Sequence, residues 1–346
     1  MPKKIIGLFT ALLCAVTVVG CSTTPSEPEQ PKDDNKVVEP ALTTAELQIG
    51  QVEAAAHGTK CFTTATVVLE GDKILLAYLD EYQFLAADKA VGVPNSETLA
   101  DYWNEGVVLA SKRVNAEMYS ANMAKSGSTV AIDVNYNTIQ DYVAGKTIAE
   151  VEALAGKTTE ELVDTISGAT LVDMPGYLSA IVDAAKAAQN NPKVTYEGDV
   201  AALKIGQVEA AAHGKKAFTL ATAVTANDKV VLAYLDEFQY LDGETATGVP
   251  NSETLKDNLS DPTRVLGSKR VNTEMYSANM AKSGSTIAID KNFDMIQDYV
   301  SGKTIAELKD LAGKSGEEVL DTISSTTLVD AGGYVNAIVA AATASK

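Results

Sequence analysis

The chain repeats itself at an offset of 156 or 157 residues, and this duplication constrains its fold more than any other feature. An offset of this length corresponds to a whole domain rather than to a short solenoid repeat. The 346 residues also exceed what one hydrophobic core usually organises. The sequence therefore predicts two tandem domains, residues 44–189 and 201–346, joined by a linker at 190–200. The longest identical segments are IGQVEAAAHG at Ile49 and Ile205, GVPNSETL at Gly92 and Gly248, and EMYSANMAKSGST at Glu117 and Glu274.

The residues before the repeats differ from them in composition. Two lysines precede an apolar run at 5–19, which is too short for a comfortable membrane span and is typical of a secretory signal. The run ends in Val-Val-Gly-Cys, which resembles a bacterial lipobox, in which residues 1–20 are removed and Cys21 receives a diacylglyceryl group. An ordinary cleaved signal with a chance cysteine is the alternative. Residues 21–43 are polar, contain four prolines and are predicted to form a flexible tether.

Charge and the rare residue types limit the classes of function. The formal charge of −18 argues against nucleic-acid binding, because phosphate recognition needs basic patches. Cys61 is the one cysteine of the repeats and matches Ala217, so a small buried residue is predicted. His57 and His213 also match, and neither has a second histidine or a cysteine pair nearby. A hydrogen-bonded structural histidine is therefore favoured over a zinc ligand.

Each repeat begins with a hairpin pattern. Residues 62–69 and 73–85 are rich in β-branched and aromatic side chains and flank the turn Glu70-Gly71-Asp72, which Ala226-Asn227-Asp228 repeats. Residues 130–134 are predicted as a further strand.

Helical patterns follow in each repeat. A final helix is predicted from Pro175 to Ala188, with Tyr177, Ile181 and Ala185 on one stripe. The expected fold class is α+β, a small and mainly antiparallel sheet with flanking helices in each domain. Four capping boxes predict helix starts: Thr147-x-x-Glu150, Thr158-x-x-Glu161, Thr304-x-x-Glu307 and Ser315-x-x-Glu318.

Familiar catalytic templates do not fit the chain. Gly-Lys-Thr or Gly-Lys-Ser occurs four times, but always without the glycine that a phosphate-binding loop needs five positions earlier. Lys-Ser-Gly at 125–127 and 282–284 is similar to the third motif of penicillin-recognising enzymes, yet the chain contains no Ser-x-x-Lys to supply their nucleophile. Cys-x-x-Cys-His and Gly-x-Gly-x-x-Gly are also absent, so neither a c-type haem nor a dinucleotide fold is indicated.

The segment DTISGATLVD, from Asp164 to Asp173, returns as DTISSTTLVD. Small residues at 167–169 are predicted to leave Thr170 on an accessible bend, where an enzyme can modify its hydroxyl. Asp164 is a nearby carboxylate that can position or deprotonate this hydroxyl with a divalent metal ion. A glycine-terminated helix followed by a threonine cap is the purely structural alternative.

The pattern Asp-x-x-Ser-Gly-Ala-Thr resembles the flavinylation motif of the FMN-binding domain family. This family includes flavin-carrying subunits of sodium-pumping NADH:quinone reductase and of Rnf complexes, and flavinylated surface lipoproteins of Gram-positive bacteria. The resemblance implies that a FAD-dependent flavin transferase links FMN, through its phosphate, to a threonine hydroxyl in each domain, so that one chain carries two covalent FMN groups. The motif matches at Asp164, Ser167, Gly168, Ala169 and the acceptor Thr170, and at Asp321, Ser324 and the acceptor Thr327.

The second copy of the motif departs from the family pattern. Ser325 and Thr326 stand where glycine and alanine are expected. Loss of the glycine restricts the bend, and the added bulk hinders the transferase, so slower modification of Thr327 is predicted.

The repeated segment EMYSANMAKSGST is a candidate flavin bed. Tyrosine and methionine offer flat or polarizable contacts to a ring system, while asparagine and lysine can bond its carbonyls or the phosphate. A structural turn that the duplication preserved is the alternative. The residues concerned are Tyr119, Asn122, Met123 and Lys125, and Tyr276, Asn279, Met280 and Lys282.

The resemblance implies an electron carrier rather than a turnover enzyme, anchored by Cys21 to the outer face of the cell membrane and extending into the cell wall. Electrons would arrive from a quinone-linked membrane pathway and leave to ferric iron or soluble flavins. A non-redox surface lipoprotein that binds a peptide, sugar or wall polymer is the alternative. Release of a peptide pheromone from residues 8–20 of the signal is a further, compatible hypothesis.

Overall fold

A computed structural model of the protein describes residues 43–346. The predicted signal, the lipidation site Cys21, the pheromone segment and nearly all of the predicted tether lie outside the described residues. The described residues form one compact unit. It is a mixed α/β fold that contains two antiparallel sheets and, within the described residues, twelve α-helices. No helix in that part of the chain combines the length and the apolar character needed to cross a bilayer.

The same succession of elements occurs twice, except that the first half ends in an additional strand. The first half contains β1 (Thr44–Ala54), β2 (Cys61–Glu70), β3 (Lys73–Ala86), α1 (Ser96–Leu99), β4 (Val107–Ser111), α2 (Ala116–Lys125), α3 (Ile132–Val143), α4 (Ile148–Ala155), α5 (Thr159–Thr165), α6 (Met174–Gln189) and β5 (Val194–Glu197). The second half contains β6 (Lys204–Ala210), β7 (Ala217–Ala226), β8 (Lys229–Asp242), α7 (Ser252–Leu255), β9 (Arg264–Ser268), α8 (Thr273–Lys282), α9 (Ile289–Val300), α10 (Ile305–Ala312), α11 (Gly316–Thr322) and α12 (Ala331–Ala344).

The sheets have the strand orders β4-β3-β2-β1-β5 and β6-β7-β8-β9. The predicted hairpins are confirmed as β2 with β3 and β7 with β8, where Glu70 pairs with Lys73 and Ala226 with Lys229. Strand β5 lies within the predicted linker and pairs with the start of β1. The division into two homologous domains with the predicted boundaries stays a prediction.

The predicted helix starts are confirmed at the four positions where the sequence contains a capping box. Hydrogen bonds in both directions complete all four predicted capping boxes, which open α4, α5, α10 and α11. The predicted final helix is α6, and Tyr177, Ile181 and Ala185 are buried on it. The Lys-Ser-Gly sequence ends α2: Gly127 has a φ of +95°, and the Ser128 amide donates to the Met123 carbonyl, as in a Schellman cap.

The prediction of a strand at 130–134 is wrong. Helix α3 begins at Ile132, directly after the extended residue Ala131. Its buried side chains include Ile132, Tyr136 and Ile139, whose spacing of four and three residues is that of a helix face. The β-branched residues of the segment favour a strand, but packing of this stripe against the sheet overrides that weak preference.

The two sheets pack against each other, and the helices cover their outer faces. Strands β2 and β7 are therefore buried on both sides, at every position of β7 and at all but the last of β2. Four aromatic rings meet between the sheets: Phe62 stacks on Tyr82 at 5.0 Å, Phe218 stacks on Phe238 at 5.2 Å, and the two pairs approach to 5.9 Å. This core joins the two halves into one body.

Glycines set the distance between the last helix of each half and its sheet. A Cβ atom on Gly50 would lie 2.3 Å from the backbone nitrogen of Ala188 in α6, and one on Gly206 would lie 2.2 Å from the carbonyl oxygen of Ala341 in α12. Real Cβ atoms do not make such contacts, so each helix rests directly on the strand backbone.

Gly50→Ala and Gly206→Ala are each expected to lower the free energy of unfolding by about 1–3 kcal/mol, the usual cost of overpacking. Denaturant titration measures the change. Gly156→Ala is the control, because its Cβ would find its nearest atom at 3.7 Å; there we expect a change below about 0.5 kcal/mol. Equal effects at all three positions would contradict the close packing.

Two glutamates lie where the sheets meet. Burial raises the pKa of Glu53 to about 8, and Asp236 of the opposite sheet adds to the shift. Burial likewise raises the pKa of Glu209 to about 8, with a further contribution from Asp80. Both side chains therefore hold their protons at neutral pH in the folded protein.

A carboxyl group whose pKa is higher in the folded state than in the unfolded state makes the folded state bind more protons between the two values. The free energy of unfolding should therefore fall as pH rises from about 4.5 to about 8, by at most about 1.4 kcal/mol per pH unit for each glutamate. Urea unfolding at several pH values tests this expectation. The Glu53→Gln/Glu209→Gln variant should lose this slope and Glu105→Gln, an exposed control, should keep it; the opposite pattern would refute the assignment.

Candidate functional site

Each half contains one open groove that is lined by several of the residues predicted from the sequence to bind a flavin. The first groove has a volume of about 580 Å³ and lies among α2, the loop before α6 and the turn after β1. The second has a volume of about 620 Å³ and lies among the corresponding elements, α8, the loop before α12 and the turn after β6. Both volumes are within the range of about 300–1,000 Å³ in which proteins bind small ligands and cofactors.

Thr170 lies exposed at the first groove, in the loop between α5 and α6. The fully buried Asn135 of α3 holds it: the Asn135 Oδ1 atom accepts hydrogen bonds from the Thr170 amide at 2.7 Å and from its hydroxyl at 3.4 Å. The Asn135 amide in turn donates to the carbonyls of Val130 and Ala131. The backbone of the threonine is thus fixed while its hydroxyl remains reachable from solvent.

The loop at the second groove has a different backbone. Gly168 has a φ of +97°, whereas Ser325, which replaces it, is not in the left-handed region. The Thr326 hydroxyl, which replaces the methyl group of Ala169, is buried and donates to Asn292 Oδ1 at 2.8 Å. Asn292 also receives the amide and hydroxyl of Thr327, at 2.8 and 3.3 Å. Thr327 is exposed at its groove. The Asn292 Oδ1 atom accepts from three donors, whereas the Asn135 Oδ1 atom accepts from two.

Helices α2 and α8 contribute part of the predicted flavin bed. Tyr119 and Met123 line the first groove, and Tyr276, Asn279 and Met280 line the second. Lys125 and Lys282 do not line the grooves; each ammonium donates to the asparagine one turn earlier on its own helix, Asn122 or Asn279, at 2.9 Å.

The remaining motif residues shape the loop rather than the groove. Asp164 and Asp321 are exposed on α5 and α11 and are not among the residues that line either groove. Ser167 and Ser324 are exposed in the turns that follow these helices, and Ala169 is buried beneath the loop. The structure therefore places Thr170 and Thr327 in the same grooves as the tyrosine and methionine side chains, but the motif aspartates do not line those grooves.

A buried ion pair, which the sequence did not predict, lies at the base of each groove. Glu81 of β3 has no exposed surface; it binds the Lys112 ammonium and also accepts a hydrogen bond from the Tyr177 hydroxyl of α6. Burial is the largest single effect on Lys112 and lowers its pKa, but the combined attraction of Glu81, Tyr119 and Cys61 exceeds it, so the pKa is raised. In the second half Lys269 lies 3.2 Å from Glu237.

This pair extends to the wall of the groove. The Lys112 ammonium lies 4.6 Å from the centroid of the Tyr119 ring, and that of Lys269 lies 4.4 Å from the Tyr276 ring. A cation over the ring face holds the tyrosine in place. The position of Tyr119 at the groove thus depends on the buried glutamate behind it.

Both histidines lie at their grooves and are hydrogen bonded, as predicted. The His57 Nδ1 atom lies 2.6 Å from Asp173 Oδ2, and His213 has the same distance to Asp330. The Cys61 thiol is buried and donates to the His57 carbonyl at 2.7 Å.

His57, Cys61 and Glu81 have potential ligand atoms within 4.8 Å of one another. Their chemistry does not favour a metal ion. Glu81 is already bound by an ammonium and a phenol, and burial raises the pKa of the Cys61 thiol, so the thiolate that a metal binds is disfavoured.

Sequence signals for the missed residues exist but are weak. Glu81 is a charged residue inside a strand that is otherwise largely apolar, and Lys112 follows directly after another such strand. Buried charges must be paired, so a glutamate and a lysine at strand positions of this kind are candidates for one buried pair. Asn135 gives no such signal, because an asparagine on a helix is usually exposed.

Comparison of the chain with models of known protein families, with curated proteins and with solved structures returned no match in any of the three.

Lys112→Met should lower the free energy of unfolding by about 3–5 kcal/mol, because it leaves Glu81 buried without a counter-charge. Adding Glu81→Gln to that variant removes the uncompensated charge and should recover part of the loss. Denaturant titration of the single and double variants gives the coupling energy. Lys125→Met, at an exposed lysine of α2, is the control. A cost for Lys112→Met no larger than that of the control would contradict the buried ion pair.

Proposed function

We propose that the protein is an extracellular, membrane-anchored flavoprotein that carries FMN covalently on Thr170 and, less completely, on Thr327, and that it transfers electrons. Electrons enter from a quinone-linked membrane pathway and leave to ferric iron or soluble flavins. The proposal combines the motif resemblance with one structural observation: an exposed threonine hydroxyl at a cofactor-sized groove, present in both halves.

The residues at the first groove fit a flavin phosphate ester. The Thr170 hydroxyl is exposed, and the Asn135 side chain that accepts from its amide fixes the loop for a transferase. Tyr119 and Met123 provide a wall with an aromatic face and a polarizable sulfur, on which an isoalloxazine ring can pack. Val172 is 69% exposed beside the threonine and offers apolar contact on the loop side.

The chemistry would be that of the cofactor, which accepts and releases one or two electrons. The protein would hold it: the threonine oxygen fixes the phosphate end, and the α2 side chains contact the ring. A transferase needs FAD as the FMN donor and a divalent metal ion, and the exposed position of Asp164 on α5 leaves it accessible to such a partner enzyme.

The two sites should differ in their rate of modification. Ser325 lacks the left-handed backbone of Gly168, and the extra hydroxyl of Thr326 competes for Asn292. Both changes alter the loop that a transferase must accommodate. The Ser325→Gly/Thr326→Ala variant should therefore bring modification of Thr327 to the level found at Thr170.

Intact mass spectrometry and visible absorbance of the protein from its native host test the proposal. FMN attached with loss of water adds about 438 Da per site, from the formula of the cofactor. We expect two increments, the second partial, with one lost in Thr170→Ala and the other in Thr327→Ala. Thr129→Ala, which changes another threonine of the first groove, is the control and should keep both increments.

Absence of any increment and of yellow colour, in a host shown to contain the flavin transferase, would refute the flavoprotein proposal. The grooves would then be ligand sites of a non-redox surface lipoprotein. A single increment that is lost only with Thr170 would restrict the proposal to the first half.

A further inference from the structure

Each groove contains a histidine–aspartate pair to which the proposed electron-transfer function assigns no role. His57 and Asp173 are half-buried, with 41% and 39% of their side chains exposed, and His213 and Asp330 have nearly the same values. The bonded atoms are His Nδ1 and Asp Oδ2, 2.6 Å apart in both halves. All four side chains line their grooves.

The fold fixes this pair from both sides. Asp173 immediately precedes α6, and a Cβ on Gly176 in the first turn of that helix would lie 2.1 Å from the Ala56 carbonyl oxygen. The turn that carries His57 is therefore pressed onto the start of α6. Gly333 makes the same approach to Ala212 in the second half, at 2.2 Å.

The hydrogen bond assigns the imidazole atoms. An ionised aspartate can only accept, so Nδ1 carries a proton and Nε2 is the atom that gains or loses the second proton. Since the side chains are half-exposed, water can deliver and remove the proton without a channel.

Several other ionisable groups lie around His57. Lys112 is neutralised by Glu81 beneath the groove. Burial and Glu81 raise the pKa of Tyr177 far above its usual range, and burial raises that of the Cys61 thiol. The Tyr119 phenol lies beside them. In the second groove the corresponding groups are Asp330, Lys269, Glu237, Tyr276 and Tyr334.

We propose that each histidine–aspartate pair is the site that takes up a proton when the redox group in its groove is reduced. This inference rests on the proposed function. A flavin held in the groove would accept two electrons from an external quinol-class donor and one proton from water, and it would then carry one additional negative charge. The Nε2 atom of His57 takes a second proton from water and offsets that charge. Oxidation by the acceptor returns both protons to water.

The composition of the chain makes this proposal directly measurable. The whole sequence contains only two histidines, His57 and His213. NMR of tag-free protein labelled with ¹⁵N-histidine therefore gives two sets of imidazole signals, which His57→Gln and His213→Gln assign. The nitrogen shifts report the protonated fraction of each ring, and intact mass of the same sample reports the flavin on each half.

In flavin-loaded protein we expect the protonated fraction of His57 to rise at least twofold between the oxidised and the dithionite-reduced sample. Thr170→Ala should abolish this response at His57 and leave that of His213 intact. Asp173→Asn should weaken it while the flavin is retained.

An unchanged protonated fraction at both histidines in flavin-loaded, reduced protein would overturn the inference and leave the proposed function standing. Protein without flavin by mass would overturn both. A response of His57 that persists in Thr170→Ala would also overturn the inference, because the charge change would not come from the first groove. If Asp173→Asn does not fold, the wild-type and Thr170→Ala samples decide alone.

Discussion

The burial of one carboxylate in each half is the constraint on which the rest of the structure depends. Removal of an ion from water costs several kcal/mol unless partners surround it, and Glu81 is fully buried. Its partners come from separate elements: Lys112 follows β4, and Tyr177 belongs to α6, 96 residues away along the chain. The strand, the end of its neighbour and the last helix must therefore meet at one point. The groove opens above that point, and Lys112 and Tyr177, which bind the buried glutamate, are among the residues that line it.

The sequence correctly predicted those elements whose formation depends on interactions between residues close together in the chain. The hairpins follow from turn residues between β-branched segments, and the four capping boxes follow from a threonine or serine three residues before a glutamate. Helix α3 was missed because its β-branched residues favour a strand, whereas packing of Ile132, Tyr136 and Ile139 against the sheet decides the matter. The packing of the two sheets on each other was not predicted either. The sequence of β2 predicted a hairpin, but it did not indicate which part of the protein packs against the face of the strand that the helices do not cover.

The candidate site was predictable only in the part that the motif and the repeat mark. Thr170, Tyr119 and Met123 do line one groove. Duplication preserves structural and functional residues equally, so it drew attention to Lys125 and Asn122 as well, which bond to each other on the surface of α2. Asn135 and Glu81 act through contacts with residues 35 and 96 positions away. Such contacts leave no periodic trace in a sequence, and for that reason the three-dimensional structure was needed to find them.

The aromatic core between the sheets determines how the two grooves relate to each other. Phe62 and Tyr82 come from the first half, Phe218 and Phe238 come from the second, and the described residues form one compact unit. When a flexible linker joins two domains, the effective concentration of one site near the other depends on the length of that linker. In this protein the distance between the two grooves is instead set by side-chain packing between the sheets. The second groove therefore lies at a constant distance and orientation from the first, whichever of them a partner binds.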